Sequence, residues 1–202
     1  MREAVVASVT QNRVEFALGD TVVAHTAVPI TLFLAIFKFD RMEWAIEKCT
    51  ELNVTSMVPV IARRTEKHLA LAAEKRMDRW RRIAREAAEQ SRRVAQPEIA
   101  NPQSLKAVLA GGRSGAEIGD NADNGLRIVL AESERELMLN EILHANAPIE
   151  SLTLATGPEG GWTDDELRSF EAADWVKASL GETILRAETA AVAALALARA
   201  AV

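Results

Sequence analysis

Three short and almost uninterrupted apolar runs constrain the fold of this chain more than any other feature of its sequence. They are residues 30–36, 126–131 and 152–156. A run of this kind is typical of a β-strand that is buried on both faces. Further strands are predicted over 54–61 and 175–180, and helical patterns separate the strands. This alternation predicts an α/β fold with a mainly parallel sheet covered by helices on both faces.

Four helices are predicted between and after these strands. The first begins near Asp40, which forms a predicted capping box with Glu43, and the second covers residues 73–95. The third covers 163–173, with Thr163 and Glu166 as its capping box. The last begins near residue 186 and is apolar nearly all round. A helix of that kind is expected to be buried on every side, partly by a second copy of the chain. We therefore predict a homodimer.

The first 28 residues have a different pattern. Short strands are predicted over 4–9, 14–18 and 21–25, with turns between them. This is too little β-structure to close a barrel. We expect a small N-terminal β segment over 1–28, followed by a main domain over 29–202. Residues 111–125 are rich in Gly, Asp and Asn and are predicted to form a surface loop.

Cysteine and histidine usage limits the possible chemistry. The chain has 202 residues and one cysteine, Cys49, so a disulfide framework or a zinc site built from cysteines is excluded. Its three histidines show no spacing that indicates a metal site. A reducing, cytoplasmic location is the natural interpretation. The longest apolar-rich run, 187–202, is too short to span a bilayer and contains Glu188 and Arg199.

Charge is distributed unevenly along the chain. The net charge is −5, yet residues 63–93 contain eleven Lys or Arg and five Asp or Glu, so this window carries +6 and the remainder −11. Such segregation indicates one basic face on an acidic body, which suits an anionic partner. The alternative is a solvated helix with ion pairs such as Arg82/Glu86 and Arg85/Glu89. Both interpretations remain open from the sequence.

A glycine-rich loop follows the strand over 152–156. Its sequence is Gly157-Pro-Glu-Gly-Gly161, and a helix begins directly after it. Ligands of open α/β sheets bind at the carboxyl ends of the strands, and glycine allows close approach to the main chain. The alternative is a tight turn without a ligand. The loop lacks the P-loop and Gly-x-Gly-x-x-Gly patterns, which disfavours nucleoside triphosphate and NAD binding.

A second segment, Leu180 to Ala190, also passes from strand to loop to helix. Its apolar residues Ile184 and Leu185 are predicted to line a slot for a flat ligand such as adenine, and Arg186, Glu188 and Thr189 add polar groups. A helix cap with a buried ion pair is the alternative. The third segment, residues 86–93, ends in two arginines at a helix C-terminus. The functional interpretation is that they bind an RNA phosphate.

Four segments in this order and spacing resemble one known family. They are Met42-Glu-Trp-Ala-Ile-Glu-Lys-Cys-Thr-Glu-Leu52, Arg79-Trp-Arg-Arg-Ile-Ala-Arg-Glu-Ala-Ala-Glu-Gln-Ser91, Gly157-Pro-Glu-Gly-Gly161 and Ile184-Leu-Arg-Ala-Glu-Thr-Ala190. They resemble the ribosomal RNA small subunit methyltransferase E family, the 16S rRNA uridine N3 methyltransferases of the SPOUT superfamily. The resemblance covers about residues 29–202. Members normally begin with a complete PUA-like β-barrel, for which 1–28 is expected to be a shortened remnant.

The resemblance implies a SPOUT-type sheet whose C-terminal segment forms a trefoil knot, a homodimer, and S-adenosyl-L-methionine as cofactor. It also implies 16S rRNA or the small ribosomal subunit as partner, with no metal and no membrane. The implied cofactor-binding residues are Leu154, Thr156, Gly157, Glu159, Gly160, Gly161, Leu180, Gly181, Ile184, Leu185 and Thr189. The expected RNA-binding residues are Arg63, Arg64, Arg85, Glu89, Gln90, Ser91 and Arg92.

Catalysis on a uridine requires removal of the N3 proton or stabilisation of the anion that forms. An arginine beside the uracil carbonyls would stabilise the anion, and Arg186 and Arg93 are the candidates. Glu188 or Glu89 is the candidate base. Two alternatives remain: a non-catalytic RNA-binding or ribosome-assembly protein that retains the fold without turnover, and a nucleotide-handling enzyme unrelated to RNA. The missing phosphate-binding motifs disfavour the second of these.

Overall fold

The computed structural model describes residues 2–21, 27–111 and 125–202. Its strands are β1 (Arg2–Val9), β2 (Val14–Thr21), β3 (Ile30–Ala35), β4 (Ser56–Ile61), β5 (Glu98–Ile99), β6 (Gln103–Ser104), β7 (Leu126–Leu130), β8 (Leu152–Thr156) and β9 (Val176–Ala178). Its helices are α1 (Phe39–Glu51), α2 (Lys67–Ala72), α3 (Met77–Gln90), α4 (Leu105–Gly111), α5 (Leu139–Ala145), α6 (Asp164–Glu171) and α7 (Ala187–Ala201), with a one-turn 3-10 helix at Glu74–Arg76.

Within the described residues, the main sheet has seven strands in the order β5-β4-β3-β8-β7-β9, and β6 also pairs with β4. Every pairing in this sheet is parallel. The predicted buried strands β3 and β8 lie side by side at its centre, with Leu32 opposite Leu154. The prediction of an α/β fold with a mainly parallel sheet is therefore confirmed.

Helices cover both faces of this sheet, as predicted. On one face a large core joins the strands to α1, α3, α5 and α7, with Met42, Trp80 and Leu195 fully buried. On the other face, α4 and α6 pack on a second core that contains Phe33, Phe170 and Trp175. The rings of Phe33 and Phe170 both contact Trp175, at centroid distances of 5.3 and 5.0 Å. Burial on both faces explains why the strands are apolar without alternation.

Two of the predicted helix boundaries differ from the structure. The predicted capping box at Asp40 is wrong, because α1 begins one residue earlier, its N-cap is Lys38, and no side chain caps it. The helix predicted over 73–95 ends at Gln90. Arg92 adopts a left-handed backbone conformation with φ 57°, and the Arg93 N–H bonds to the Ala88 carbonyl at 2.9 Å. This left-handed turn terminates the helix.

The N-terminal segment forms an antiparallel hairpin of β1 and β2, with Val6 opposite Phe16. Most of the strand predicted over 21–25 and most of the loop predicted over 111–125 lie outside the described residues. Three short helices, α2, α4 and α5, were not predicted. They have six or seven residues each, too few for a helical repeat to be recognised.

Helix α7 is buried on one face only within a single chain. Ala191, Ala194, Leu195 and Ala198 are fully buried against the sheet, whereas Leu197 is 42% exposed. Ala196 and Ala200 are also exposed. Within a single chain, α7 is therefore not buried on every side, as the sequence predicted it to be. Among the residues that the structure describes, no helix has the length and apolarity needed to cross a membrane.

Candidate functional site

A cavity of about 560 Å³ opens where β7, β8 and β9 end. Leu130, Thr156 and Ala178, the last residues of these three strands, all contribute to its lining. This volume is within the range that holds a drug-sized or cofactor-sized ligand. The cavity also lies at the carboxyl edge of a parallel sheet, where such ligands bind.

The glycine-rich loop, residues 157–161, forms one wall of the cavity. It is tightly packed: a β-carbon at Gly157 would lie 3.3 Å from Nε1 of Trp162, and one at Gly160 would lie 3.2 Å from Cδ of Arg64. Gly161 has φ 67°, a left-handed conformation that side-chain-bearing residues rarely adopt. The glycines are thus required by close packing and by backbone geometry.

The second segment, residues 180–185, forms the opposite wall. It is held at its start by Ser179, whose hydroxyl donates to the Gly181 carbonyl and accepts from the Gly181 N–H, each at 3.2 Å. Gly181 has φ 128°. Leu185 is half-buried, whereas Ile184 lies at the rim and is 74% exposed. The two loops that the sequence singled out therefore converge on one cavity.

A third loop, which follows β7, completes the lining and was missed by the sequence analysis. Residues 131–135 and Met138 face the cavity. The Leu139 N–H donates to the Ser179 carbonyl at 2.9 Å, and the Ser179 N–H donates to the Leu137 carbonyl at 2.8 Å. The loop has no glycine motif. Only its position after a predicted buried strand could have indicated it.

Acidic side chains outnumber basic ones around the cavity. Glu132, Glu134, Glu159, Asp164 and Glu182 contribute to the lining, against Arg64 and Arg135. The Glu134 carboxylate accepts hydrogen bonds from the backbone N–H groups of residues 135–137. The bonds from Glu136 and Leu137 are the main cause of its lowered pKa, so this carboxylate is ionised at neutral pH. The cavity is suited to a ligand with positive charge.

Most of the residues expected to bind the cofactor lie at this cavity. They are Thr156, Gly157, Glu159, Gly160, Gly161, Leu180, Gly181, Ile184 and Leu185. Two are elsewhere: Leu154 is fully buried in the core within β8, and Thr189 is exposed on α7.

Arg64, which was expected to contact RNA, is part of the cavity lining instead. Its guanidinium donates to the carbonyls of Gly160 and Trp162, at 2.5 and 3.2 Å.

Of the three expected catalytic residues, none lines the cavity. Arg93 is half-buried, and its two terminal nitrogens donate to the carbonyls of Thr50 and Val54 at 2.8 and 2.7 Å. Burial, and secondarily the charge of Arg199, lowers its pKa. Within this chain Arg93 thus stabilises the end of α1.

Arg186 and Glu188 lie at the start of α7. The Arg186 side chain is exposed, and its neighbours Leu185 and Ala187 both line the cavity. Glu188 is 8% exposed, is not one of the lining residues, and lies beside Arg41 of α1, with Oε1 3.6 Å from the arginine's terminal nitrogen. Of the alternative considered for this segment, a helix cap with a buried ion pair, the ion pair is present, but Arg186, the N-cap of α7, makes no side-chain capping hydrogen bond.

The remaining expected RNA-binding residues lie on or near α3. Arg85, Glu89, Gln90 and Arg92 are exposed, as is Arg63, while the Ser91 hydroxyl donates to the Ala87 carbonyl at 2.7 Å. Arg79, Arg81, Arg82 and Arg85 line a shallow groove together with Asp78 and Gln96. The predicted pairs Arg82/Glu86 and Arg85/Glu89 are present, but at 3.8 and 4.0 Å. Long, exposed pairs of this kind contribute little to stability, so Arg82 and Arg85 remain accessible to another anion. Arg79, by contrast, donates two hydrogen bonds to the Glu43 carboxylate, each at 2.7 Å.

Cys49 is fully buried, and burial raises the pKa of its thiol to about 12. It is therefore protonated and unreactive near neutral pH. Within residues 2–21, 27–111 and 125–202, no group of three or more His, Cys, Asp or Glu is arranged to hold a metal ion.

The fold and the cavity define a parallel α/β domain with an acidic cavity at the carboxyl edge of its sheet. Sequence comparison identifies the class of this domain. Residues 24–199 match the family model of the RNA methyltransferase domain. A ribosomal RNA small subunit methyltransferase E from Synechocystis is 37% identical over 170 residues, covering 84% of this chain and 52% of that protein. The chain thus spans about half the length of this relative.

Two further comparisons narrow the class to one family. The methyltransferase E from Bacillus subtilis is 31% identical over 192 residues, covering 93% of this chain and 73% of that protein. The crystal structure of the methyltransferase E from Neisseria gonorrhoeae, bound to S-adenosyl methionine, superposes with a TM-score of 0.77 at 30% identity, covering 96% of this chain and 75% of that one. The chain belongs to the ribosomal RNA small subunit methyltransferase E family.

Proposed function

We propose that this chain transfers the methyl group of S-adenosylmethionine to N3 of a specific uridine in 16S rRNA of the small subunit. The observation that carries the proposal is the convergence of the glycine-rich loop and the 180–185 loop on one cavity, in a chain of this family. The structural relative from Neisseria gonorrhoeae is described with S-adenosyl methionine bound.

The residues of the cavity fit this cofactor in shape and charge. Its lining combines apolar side chains (Leu180, Ile184, Leu185) with main-chain groups exposed by glycine, which suits an adenine ring with polar edges. The excess of carboxylates favours a ligand that carries a sulfonium and an ammonium group. The proposed cofactor-binding residues are those of the expected set that line the cavity, together with Glu132 and Ser133 of the third loop.

The bound cofactor would supply an electrophilic methyl group. The chain's own contribution is to orient the cofactor and to stabilise negative charge on the uracil as its N3 proton leaves. Arg186 is the proposed catalytic residue, since it is exposed between two residues that line the cavity. The exposed arginines of α3 and Arg63 are proposed to contact RNA phosphates.

The wider assembly is also a proposal. We infer a trefoil knot in the C-terminal part of the domain over 29–202, and a PUA-like origin for the segment over 1–28. We further infer a homodimer through the exposed face of α7, and action in the cytoplasm, where ribosomal subunits are made.

The proposal is tested by incubating the chain with methyl-labelled cofactor and small subunits that lack the modification. Label on uridine N3, located by mass spectrometry of the RNA, is the expected result, and Arg186→Ala is expected to lower the rate at least about tenfold with little change in cofactor affinity. Salt-dependent binding of the subunit without any label would instead support the non-catalytic alternative.

A further inference from the structure

One arginine outside the cavity contacts the glycine-rich loop of the cavity and the helix that follows its second wall. Arg41 lies in the first turn of α1, and its terminal nitrogen Nη1 is 3.3 Å from Oε1 of Glu159 and 3.6 Å from Oε1 of Glu188. Glu159 belongs to the glycine-rich loop, and Glu188 lies in the first turn of α7, just after the 180–185 loop. A single guanidinium therefore joins three segments that are far apart in sequence.

The position of Arg41 is not explained by the stability of its own helix. A positive charge in the first turn of a helix lies at the positive end of the helix dipole, where it is unfavourable. The two carboxylates offset this. Lys38 adds a second cation, with Nζ 3.9 Å from Oε2 of Glu159. The favourable interactions of Arg41 are thus directed at the glycine-rich loop and the start of α7 rather than along α1.

Of the two ion pairs that Arg41 makes, the pair with Glu188 is the more buried and is expected to be the stronger. The side chain of Glu188 is 11% exposed, against 33% for Glu159, and its second oxygen is buried without a hydrogen-bond partner. Glu188 lies in the first turn of α7, where the helix dipole favours a carboxylate, and Arg41 is its neighbouring cation. Loss of Arg41 would therefore weaken the compensation of this buried charge. The start of α7 is then expected to move, and the 180–185 loop with it.

We propose that Arg41 is a positioning residue: by holding Glu159 and Glu188 together, it fixes the two loops of the cavity in the arrangement that binds the cofactor. This inference rests on the proposed function. We call Arg41, Glu159 and Glu188 together the clamp. Glu188, which was a candidate base, is thereby assigned a structural role in the clamp. Arg41 itself does not line the cavity, so its effect on the cofactor is exerted through the loops.

The test is calorimetric titration of S-adenosylmethionine into the whole chain and into variants of the clamp. Arg41→Gln is expected to weaken binding about tenfold, Arg41→Lys about threefold, and Glu188→Gln about threefold. Because the two residues act as one unit, the double variant Arg41→Gln/Glu188→Gln should bind no more weakly than Arg41→Gln alone. In methyl transfer, Arg41→Gln should raise KM for the cofactor and leave kcat within about twofold.

Lys48→Gln is the matched control. Lys48 lies in the same helix and also contacts two carboxylates, Glu47 and Glu51, at 2.7 and 2.8 Å, but it is remote from the cavity lining. Unchanged affinity in this variant together with weakened affinity in Arg41→Gln supports the clamp. Equal affinity of wild type and Arg41→Gln overturns it.

Two other outcomes are also decisive. If Arg41→Gln does not fold, Glu188→Gln tests the same contact, and an unchanged affinity in that variant overturns the clamp. If the wild-type chain itself binds no cofactor at millimolar concentration, the proposed function fails and the clamp fails with it.

Discussion

At the scale of single residues, Arg93 illustrates how a residue in a functional motif can serve the fold. Its guanidinium donates to two carbonyls at the end of α1, those of Thr50 and Val54. Arg93→Ala removes both donors and leaves the Val54 carbonyl unpaired, while the Thr50 carbonyl keeps its bond from the Asn53 N–H at 3.0 Å. This is expected to lower the free energy of unfolding by about 2 kcal/mol. Urea unfolding followed by circular dichroism measures this change.

The control for this prediction is Arg85→Ala, which removes an exposed arginine of α3 and should change stability by less than about 0.5 kcal/mol. If Arg93→Ala also lowered the free energy of unfolding by less than about 0.5 kcal/mol, the structural role of Arg93 would be contradicted.

The same residue shows the limit of prediction from sequence. The Thr163 and Glu166 pair could be predicted because both residues lie within one helical turn and the motif is local. The partners of Arg93 are about forty residues away and meet it only because α1 and α3 pack together. Glu132 at the cavity belongs to no motif, so its role depends on where β7 ends in space.

At the scale of elements, the start of α6 connects the loop that precedes it, which contains Thr163, with the loop after β4, which contains Arg63. The Glu166 carboxylate accepts from the Thr163 N–H at 2.9 Å and from the Arg63 N–H at 2.7 Å, and the Thr163 side chain accepts from the Glu166 N–H. Thr163→Ala should lower the free energy of unfolding by about 1 kcal/mol. Glu166→Ala should cost about 2 kcal/mol, because the Arg63 N–H also loses its acceptor.

Thr163→Ser retains the capping oxygen and serves as the control in the same unfolding measurement. If Glu166→Ala were no more destabilising than Thr163→Ala, the bond to Arg63 would contribute nothing to stability.

Strands and helices with a strong apolar sequence pattern were predicted well, and those without such a pattern were not. The apolar runs located β3, β7 and β8 within one or two residues because burial on both faces leaves a clear signature. The end of α3 was misplaced by five residues, since the left-handed conformation of Arg92 is unusual for arginine and carries no sequence signal.

At the scale of the whole molecule, the exposed apolar face of α7 leads to a prediction about assembly. A dimer buried through this face should have twice the mass of one chain by light scattering at micromolar concentration. Leu197→Glu places a charge in the proposed interface and should shift the protein to a monomer. Leu71→Glu, at an 82% exposed position on α2, should leave the mass unchanged. A monomeric wild-type chain would contradict the prediction.

The overall class of the fold followed from the sequence, but the order of its strands did not. Alternating strands and helices indicate a parallel sheet, yet several orders satisfy the same alternation. The neighbours β3 and β8 are more than a hundred residues apart in sequence. Their pairing brings the glycine-rich loop, which follows β8, next to α1, which follows β3.

The account depends most on the binding of one cofactor molecule between the two loops, and calorimetric titration of S-adenosylmethionine tests this most directly. One molecule per chain is the predicted stoichiometry. Gly161→Ala should weaken binding about fivefold, because φ 67° is strained for alanine by about 1 kcal/mol, whereas Gly111→Ala, whose new β-carbon would meet no atom of the described residues within 4 Å, should bind as wild type does. Absence of saturable binding at millimolar cofactor, or equal binding by both glycine variants, would contradict the account.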